Sequence, residues 1–199
     1  MTRFLLTLLC VFVVPMGVSA QSDVGDRRIT QAKDHPADNA EIAALFEADQ
    51  AVRQGFTPEK AKDPAFIKAM IDGDRERRER TLALLAEDAL RTDNDFYHAA
   101  FIFQHGGTAD DYLLAHSLAV AAVAKGHESA AWISAATLDR YLMNIGQPQV
   151  YGTQYTREDG KVTMDPYDRD LVPDALRTAL GVPTLTEQTE KLDQMRAPG

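Results

Sequence analysis

Two consecutive apolar segments limit what this chain can fold into. Tyr112–Ala124 has only two polar side chains besides its tyrosine hydroxyl, and Ser129–Ile145 has only two charged residues. Lys125-Gly126 lies between them and is typical of a helix end, because a cation suits the helix dipole and glycine adopts a left-handed conformation. Two apolar helices joined by a short turn must lie antiparallel and bury most of their surface. We therefore expect an alanine-rich helical hairpin at the centre of the fold.

The segments before this hairpin predict further helices. Apolar residues recur at helical spacing in Asp38–Gln54, Pro64–Gly73 and Asp95–His105. The run Asp74–Arg80 consists entirely of charged residues, but its net charge is only +1. We therefore expect it to be the solvated first half of a helix rather than a basic binding surface. That helix is expected to bury three leucines, Leu82, Leu85 and Leu90.

The C-terminal part of the chain follows a different pattern. Gln149–Thr156 and Lys161–Asp165 have the composition of short strands, and Asp159-Gly160 between them is a strong signal for a hairpin turn. Val172–Gly181 and the segment that Thr184 opens predict two closing helices. The predicted fold class is mainly α, with a helical-hairpin core, a small C-terminal β-hairpin and closing helices.

The first twenty residues have the layout of an export signal. Arg3 precedes the apolar run Phe4–Val14, and Val18-Ser19-Ala20 places small residues directly before Gln21. A membrane anchor would need about 20 consecutive apolar residues, more than this run contains. We expect Met1–Ala20 to be a cleaved signal peptide and the mature protein to be periplasmic or secreted.

The composition of the mature chain excludes some classes of binding partner and some kinds of reaction chemistry. The full sequence has 199 residues, a formal net charge of −9 and one cysteine, Cys10, which lies within the predicted signal peptide. An acidic chain is a poor candidate for binding nucleic acid or anionic membranes, and a chain without cysteine has no disulfide or thiol nucleophile. The sequence contains neither a His-Glu-x-x-His motif nor a calcium-binding loop, so we expect no metal and no cofactor.

Residues 21–37 are expected to be a linker or flexible arm, and residues 38–197 a single mainly helical domain without a membrane span.

The two charged residues of the second apolar segment need partners. Asp139 and Arg140 are adjacent, so their side chains point about 100° apart on a helix and do not simply pair with each other. Burying a charge costs several kcal/mol unless it is paired and hydrogen-bonded. Other polar side chains lie beside chain reversals, at the end of one helix and at the start of the β-hairpin. We expect seven residues to converge on one polar, ligand-binding cavity between the helical core and the β-hairpin: Gln104, His105, Asp139, Arg140, Gln149, Tyr151 and Gln154.

These side chains have complementary chemistry. Arg140 has the planar fork that anchors an anionic or carbonyl group, and Asp139 is expected to orient His105. The leading interpretation is a domain of unknown activity that binds a small polar ligand or a protein partner. The alternative is a small metal-independent hydrolase or transferase in which His105 and Asp139 form an acid–base pair. A third interpretation is structural: the same groups satisfy one another and fix the β-hairpin to the helices.

Three motifs of this region occur in a recognisable order. Gln104-His105, Asp139-Arg140 and Tyr151-Gly152-Thr153-Gln154 resemble an uncharacterised bacterial family, a domain of unknown function marked by Gln-His, Asp-Arg and Tyr-Gly-Thr-Gln. Asp49-Gln50-x-x-Arg53 and Asp174–Val182 are similar to further elements of that family. The resemblance covers about residues 40–195 and implies a shared fold, but no established activity. The central hairpin also resembles one tetratricopeptide or Sel1 repeat unit, which implies hairpin geometry only, because a stable array needs at least three units.

Overall fold

In a computed structural model of the protein, residues 36–158 and 161–196 are described, and they are mainly helical. Seven α-helices and one two-stranded antiparallel sheet lie within these ranges, which confirms the predicted fold class. The predicted signal peptide, residues 21–35 of the predicted arm and the predicted Asp-Gly turn lie outside the described residues. The elements are α1 (Ala40–Gln54), α2 (Pro64–Ala86), α3 (Asp93–Phe103), α4 (Ala109–Lys125), α5 (Ala130–Asn144), β1 (Thr156–Glu158), β2 (Lys161–Thr163), α6 (Asp174–Ala179) and α7 (Leu185–Arg196).

The predicted helical hairpin is formed by α4 and α5 and lies at the centre of the core. α4 packs against both α3 and α5, and Gly126 ends α4 in the predicted left-handed conformation, with a φ of 107°. Small side chains let the helix backbones approach each other closely. The fully buried alanines of this hairpin are Ala115, Ala119, Ala122 and Ala130.

The outer surface of the hairpin is more exposed than the sequence predicted. Val120 and Val123 of α4 and Trp132 of α5 are each more than 40 % exposed. A small domain has too little interior to cover every face of its central helices, so α4 is buried on one side only, whereas residues 133–137 of α5 are all buried. Within the described ranges, none of the helices combines the length and the apolar character that crossing a membrane requires.

A tight turn between α3 and α4 fixes the position of His105. Oγ1 of Thr108 accepts the backbone N–H of Asp111 at 3.1 Å, and the Asp111 carboxylate accepts the backbone N–H of Thr108 at 3.2 Å, so the two residues form a capping box. A Cβ on Gly106 would lie only 2.3 Å from Cβ of Asp111. Only glycine therefore lets the end of α3 come this close to the start of α4.

α2 is longer and less solvated than the sequence predicted. It continues for 23 residues through Gly73 and through the charged run Asp74–Arg80. Asp74 and Leu84 are buried, whereas Leu82, which was expected in the core, is 48 % exposed. Asp74 lies inside because arginine side chains of α1 and α2 pair with its carboxylate.

The β-hairpin is shorter than predicted, with Thr156 opposite Thr163 and Arg157 opposite Val162. Residues 149–155, which were expected to be a strand, form a loop instead, which we call the 149–155 loop. Its first residue, Gln149, makes an isolated parallel bridge with Tyr167. The strand prediction was wrong because backbone N–H groups of this loop bind a core side chain rather than a neighbouring strand. The two closing helices, α6 and α7, are present as predicted.

Candidate functional site

Asp139 of α5 binds the 149–155 loop. Its carboxylate is fully buried and accepts the backbone N–H groups of Val150, Tyr151 and Thr153 at 2.8, 3.0 and 2.9 Å. The hydroxyl of Thr153 donates a fourth hydrogen bond at 2.8 Å. Four donors satisfy a buried carboxylate, so Asp139 does not require an arginine or histidine partner. Asp139 therefore fixes the loop to the helical core.

Gln149 holds the same loop from inside. Its side chain is fully buried, and Oε1 accepts the backbone N–H of Gln154 at 3.0 Å. Nε2 donates to the carbonyl of Gln154 at 3.0 Å and to the carbonyl of Met164. Both ends of the Gln149 amide are thus used in shaping the loop.

Arg177 and Gln188 attach this loop to the closing helices. Arg177 is fully buried, and its Nη1 and Nη2 donate to the carbonyls of Tyr151 and Val150 at 2.7 and 3.2 Å. Nε2 of Gln188 donates to the same Tyr151 carbonyl at 2.6 Å. Tyr151, a predicted site residue, therefore contributes its backbone to the structure of the loop.

Gly152 is required where the loop passes Tyr167. Its φ is +70°, and a Cβ at this position would lie 2.6 Å from Cζ of Tyr167 and 2.8 Å from Oε1 of Gln188. The hydroxyl of Tyr167 donates to Oε1 of Gln188 at 2.7 Å, so neither neighbour can move without losing a buried hydrogen bond. Much of the Tyr-Gly-Thr-Gln motif is thus explained by the conformation of the loop.

A cavity of about 290 Å³ lies where α4, α5 and the start of β1 meet. Two of the seven predicted site residues, Arg140 and Gln154, line it. Nε2 of Gln154 is held by Oγ1 of Thr153 at 2.9 Å and by the carbonyl of Ala136 at 3.3 Å. We call this space the Arg140 cavity, and its lining residues are Tyr112, Arg140, Met143, Asn144, Gln154, Tyr155 and Thr156.

Arg140 is the charged residue of this cavity, and it has no acidic partner among the described residues. Its Nε is buried and lacks a hydrogen-bond acceptor there, as does the buried Oγ1 of Thr156. Burial lowers the pKa of Arg140 below its usual value, and the hydroxyl of Tyr112 beside it opposes part of this effect. An unpaired cation and an unpaired hydroxyl at one cavity are suited to an anionic ligand.

A larger cavity, of about 440 Å³, lies beside the start of α3, but its polar groups are accounted for. Asn94 donates to the carboxylate of Asp38 at 2.8 Å, and Arg91 pairs with Asp88 at 3.2 Å. None of its lining residues belongs to the buried, unpartnered groups of the described chain. The Arg140 cavity is therefore the better candidate for a ligand site.

His105 lies in a different polar cluster. Its Nδ1 is 3.0 Å from Oδ1 of Asp49 on α1, whose other oxygen accepts Nε2–H of Gln50 at 2.9 Å. The side chain of Asp49 is 1 % exposed and that of His105 is 19 % exposed. Because an ionised carboxylate only accepts hydrogen bonds, neutral His105 carries its proton on Nδ1 and has Nε2 as its basic nitrogen.

Two arginines and a second carboxylate surround Asp49. Nη2 of Arg53 donates to Asp74 at 2.7 Å, and Arg77 donates to the other oxygen of that carboxylate. Oδ1 of Asp49 lies 3.6 Å from Nε of Arg77 and 3.8 Å from Nη2 of Arg53. Nη1 of Arg53 and Nε of Arg77 are buried and lack acceptors in the described chain. We call these residues the Asp49–His105 cluster: Asp49, Arg53, Asp74, Arg77 and His105.

The structure gives His105 a different partner from the predicted one. Asp139 was expected to orient His105, but its carboxylate binds the 149–155 loop, and Asp49 occupies the position beside the imidazole. Gln104, next to His105, is buried at the end of α3. Of the seven predicted site residues, three shape the loop, two line the Arg140 cavity and two lie at the end of α3.

Sequence reasoning missed the acidic and basic members of the Asp49–His105 cluster. Asp49 and Arg53 were visible as part of the Asp49-Gln50-x-x-Arg53 motif, but nothing local links them to His105, which is 56 residues from Asp49. Asp74 and Arg77 were hidden within a charged run that is typical of a solvated helix face. Within the part of the chain that the structure describes, no group of three or more His, Cys, Asp or Glu residues is arranged to hold a metal ion.

The fold and these sites define a mainly helical protein whose polar residues fall into a loop-anchoring network, a cavity with an unpaired arginine and a histidine–carboxylate cluster. The chain belongs to a family of unknown function, DUF6624, whose model matches residues 36–197. This confirms the resemblance that the sequence indicated. No match was found among curated proteins or among solved structures.

Proposed function

We propose that the protein is an exported helical domain that binds a small amphipathic carboxylate in the Arg140 cavity. The observation that carries this proposal is that Arg140 lines a cavity without an acidic partner in the part of the chain that the structure describes. Its guanidinium is partly buried, lines a cavity of about 290 Å³ and forms no ion pair with a carboxylate of the described residues.

The charge of Arg140 selects the kind of ligand. A guanidinium that leaves water loses hydration energy, and the lowered pKa of Arg140 reflects the same penalty. A ligand carboxylate would offset that penalty by accepting two parallel N–H···O bonds from the planar guanidinium. The site therefore favours an anion over a cation or a neutral amide.

The walls of the cavity restrict the rest of the ligand. Its volume of about 290 Å³ is near the lower end of the range of roughly 300–1,000 Å³ that is usual for small-molecule sites. Tyr112, Met143 and Tyr155 offer aromatic and aliphatic surface, while Thr156 offers an unpartnered hydroxyl. A short aliphatic or a single-ring monocarboxylate satisfies both requirements.

The export part of the proposal is supported by the N-terminal sequence. Arg3, the apolar run Phe4–Val14 and the small residues before Gln21 are typical of a cleaved secretory signal. N-terminal sequencing of the protein from the periplasmic or extracellular fraction should begin at Gln21. Exported protein that retains Met1, or protein that is found only in the cytoplasm, would contradict this assignment.

Isothermal titration calorimetry tests the ligand class. Benzoate and hexanoate are titrated into the mature protein in parallel with their neutral amides, benzamide and hexanamide. We expect the carboxylates to bind and the amides to bind at least tenfold more weakly, a difference of about 1.4 kcal/mol. Arg140→Gln should abolish carboxylate binding, and Arg140→Lys should weaken it, since lysine keeps the charge but loses the planar fork.

A surface variant that changes the net charge by the same amount as Arg140→Gln serves as the control for the effect of net charge on binding. Arg75 lies on α2 with its side chain 54 % exposed and does not line the Arg140 cavity, so Arg75→Gln removes the same charge outside that cavity and should leave binding unchanged. Thermal unfolding of each variant separates lost binding from lost folding. Failure of wild-type protein to bind either carboxylate, or equal binding by wild type and folded Arg140→Gln, would refute the proposal.

A further inference from the structure

The Asp49–His105 cluster is separate from the Arg140 cavity, since none of its members lines that cavity. Two helices and the turn after a third build it: Asp49 and Arg53 come from α1, Asp74 and Arg77 from α2, and His105 lies two residues after the end of α3. It is therefore a second place where the fold brings chemically active side chains together.

This cluster is incompletely satisfied as a structural ion-pair network. Nη1 of Arg53 and Nε of Arg77 are buried N–H groups without acceptors in the described chain. Buried ion pairs add little net stability, and a buried donor without a partner reduces it further. A network built only for stability would leave no buried donor unpaired.

The imidazole of His105 is held in the orientation of a general base. Asp49 binds Nδ1 at 3.0 Å and fixes both the ring and the tautomer. Nε2 makes no hydrogen bond to any part of the described chain, and the side chain is 19 % exposed. The basic nitrogen is therefore within reach of water and of a substrate.

Charge balance decides between substrate classes. The two arginines of the cluster are matched by the two carboxylates, Asp49 and Asp74. A phosphate monoester carries two negative charges and would meet no net positive charge here, while the full chain has a formal net charge of −9. An uncharged ester meets no such repulsion.

We propose that the Asp49–His105 cluster is a hydrolytic site for neutral carboxylic esters, with His105 as general base and Asp49 as its positioning residue. Nε2 of His105 takes a proton from water while the water oxygen bonds to the ester carbonyl carbon and the carbonyl electron pair moves onto oxygen. When the electron pair returns, the bond to the alkoxy group breaks. The proton on Nε2 then passes to the departing alkoxide, which leaves a carboxylic acid and an alcohol.

Release of p-nitrophenolate from p-nitrophenyl acetate by the mature protein, corrected for spontaneous hydrolysis, tests this proposal. His105→Gln should lower the release rate by about 100-fold or more, the range expected for loss of a general base. His116→Gln is the matched control, because Nδ1 of His116 also binds an oxygen, the Ser134 carbonyl at 2.9 Å, but no carboxylate. Its rate should equal that of wild type.

Asp49→Asn tests the positioning role with a readout that a purely structural residue would not change. Nitrogen-15 NMR of the histidine rings should show neutral His105 protonated at Nδ1 in wild type and as a mixture of tautomers in Asp49→Asn, with a rate at least tenfold lower. Should this variant fail to fold, acylation of wild-type protein with diethyl pyrocarbonate replaces it, and activity should then fall in proportion to the modified fraction of His105. Equal release by wild type and folded His105→Gln, or activity that survives complete modification of His105, would overturn the proposal.

Discussion

Nδ1 of His105 lies 3.0 Å from Oδ1 of Asp49, although the two residues are 56 positions apart in the sequence. The contact joins the end of α3 to the middle of α1, and the Gly106 turn fixes one side of it. It leaves Asp139 available for a different task, the anchoring of the 149–155 loop. The polar residues of this fold therefore form separate groups. Asp139 and its hydrogen-bond partners hold the 149–155 loop, whereas His105 and Arg140 lie outside that network.

Enlarging the contact between α4 and α5 should destabilise the protein. Ala122 is fully buried on α4, so Ala122→Leu forces extra carbon atoms into a packed interface at a cost of about 1–3 kcal/mol. Val123, the next residue, is 43 % exposed, and Val123→Leu should change the free energy of unfolding by less than about 0.5 kcal/mol. Urea unfolding measures both, and an unchanged midpoint for Ala122→Leu would refute the close approach of the two helices.

Two glycines with nearly the same φ allow the cost of backbone strain to be measured separately from the cost of a steric clash. Gly146 and Gly152 have φ values of +73° and +70°, so an alanine at either position costs about 1–2 kcal/mol. Only Gly152→Ala also places a Cβ 2.6 Å from Tyr167, whereas nothing lies within 4 Å of the corresponding atom at Gly146. In urea unfolding, we expect Gly152→Ala to lower the free energy of unfolding by about 1–3 kcal/mol more than Gly146→Ala does. Equal costs would mean that the 149–155 loop is not held against Tyr167.

Burial of His98 should make the protein less stable in mild acid. Its ring stacks on Phe46 with 4.3 Å between centroids, and burial lowers the pKa of His98 below its usual value of about 6.5. Below that value the unfolded chain binds a proton that the folded protein does not, so stability falls as the pH drops from about 6.5 towards the folded pKa. Urea unfolding at pH 7 and pH 5 should show this loss, and His98→Gln should reduce it.

The groups that face His98 provide the control for this prediction. The carboxylates of Asp38, Asp95 and Glu47 act to raise the pKa of His98, and His127 acts to lower it, but burial is the largest cause of the shift. His127→Gln should therefore keep most of the pH dependence. If His127→Gln removes it and His98→Gln does not, the assignment to His98 is wrong.

The parts of the fold that the sequence predicted correctly are those that short-range signals determine. The left-handed Gly126 ends α4 through contacts within a few residues, so the C-terminal end of this helix could be predicted directly from the sequence. For the candidate site, the sequence identified Asp139 and Arg140 as charges within an apolar helix, and both are at least partly buried. These inferences required no knowledge of the tertiary structure.

The remainder depends on contacts between segments that are distant in the sequence. Asp139 binds a loop that begins ten residues later, and no local pattern shows where that loop folds back. Asp74 belongs to a run of seven charged residues, whose composition predicts a solvated face until Arg53 of another helix is brought beside it. The shared cluster of Asp49 and His105 was hidden for the same reason.

Native mass spectrometry of mature protein isolated from its own compartment tests the central claim, a carboxylate bound at Arg140, most directly. We expect a fraction of wild-type molecules to carry a small non-covalent anion that is released on denaturation. Arg140→Gln purified in the same way should lack it, and the surface variant Arg75→Gln should retain it. Identification of the released molecule as a carboxylic acid would support the account. A released molecule that is neutral or cationic, or that is held equally by wild type and Arg140→Gln, would contradict it.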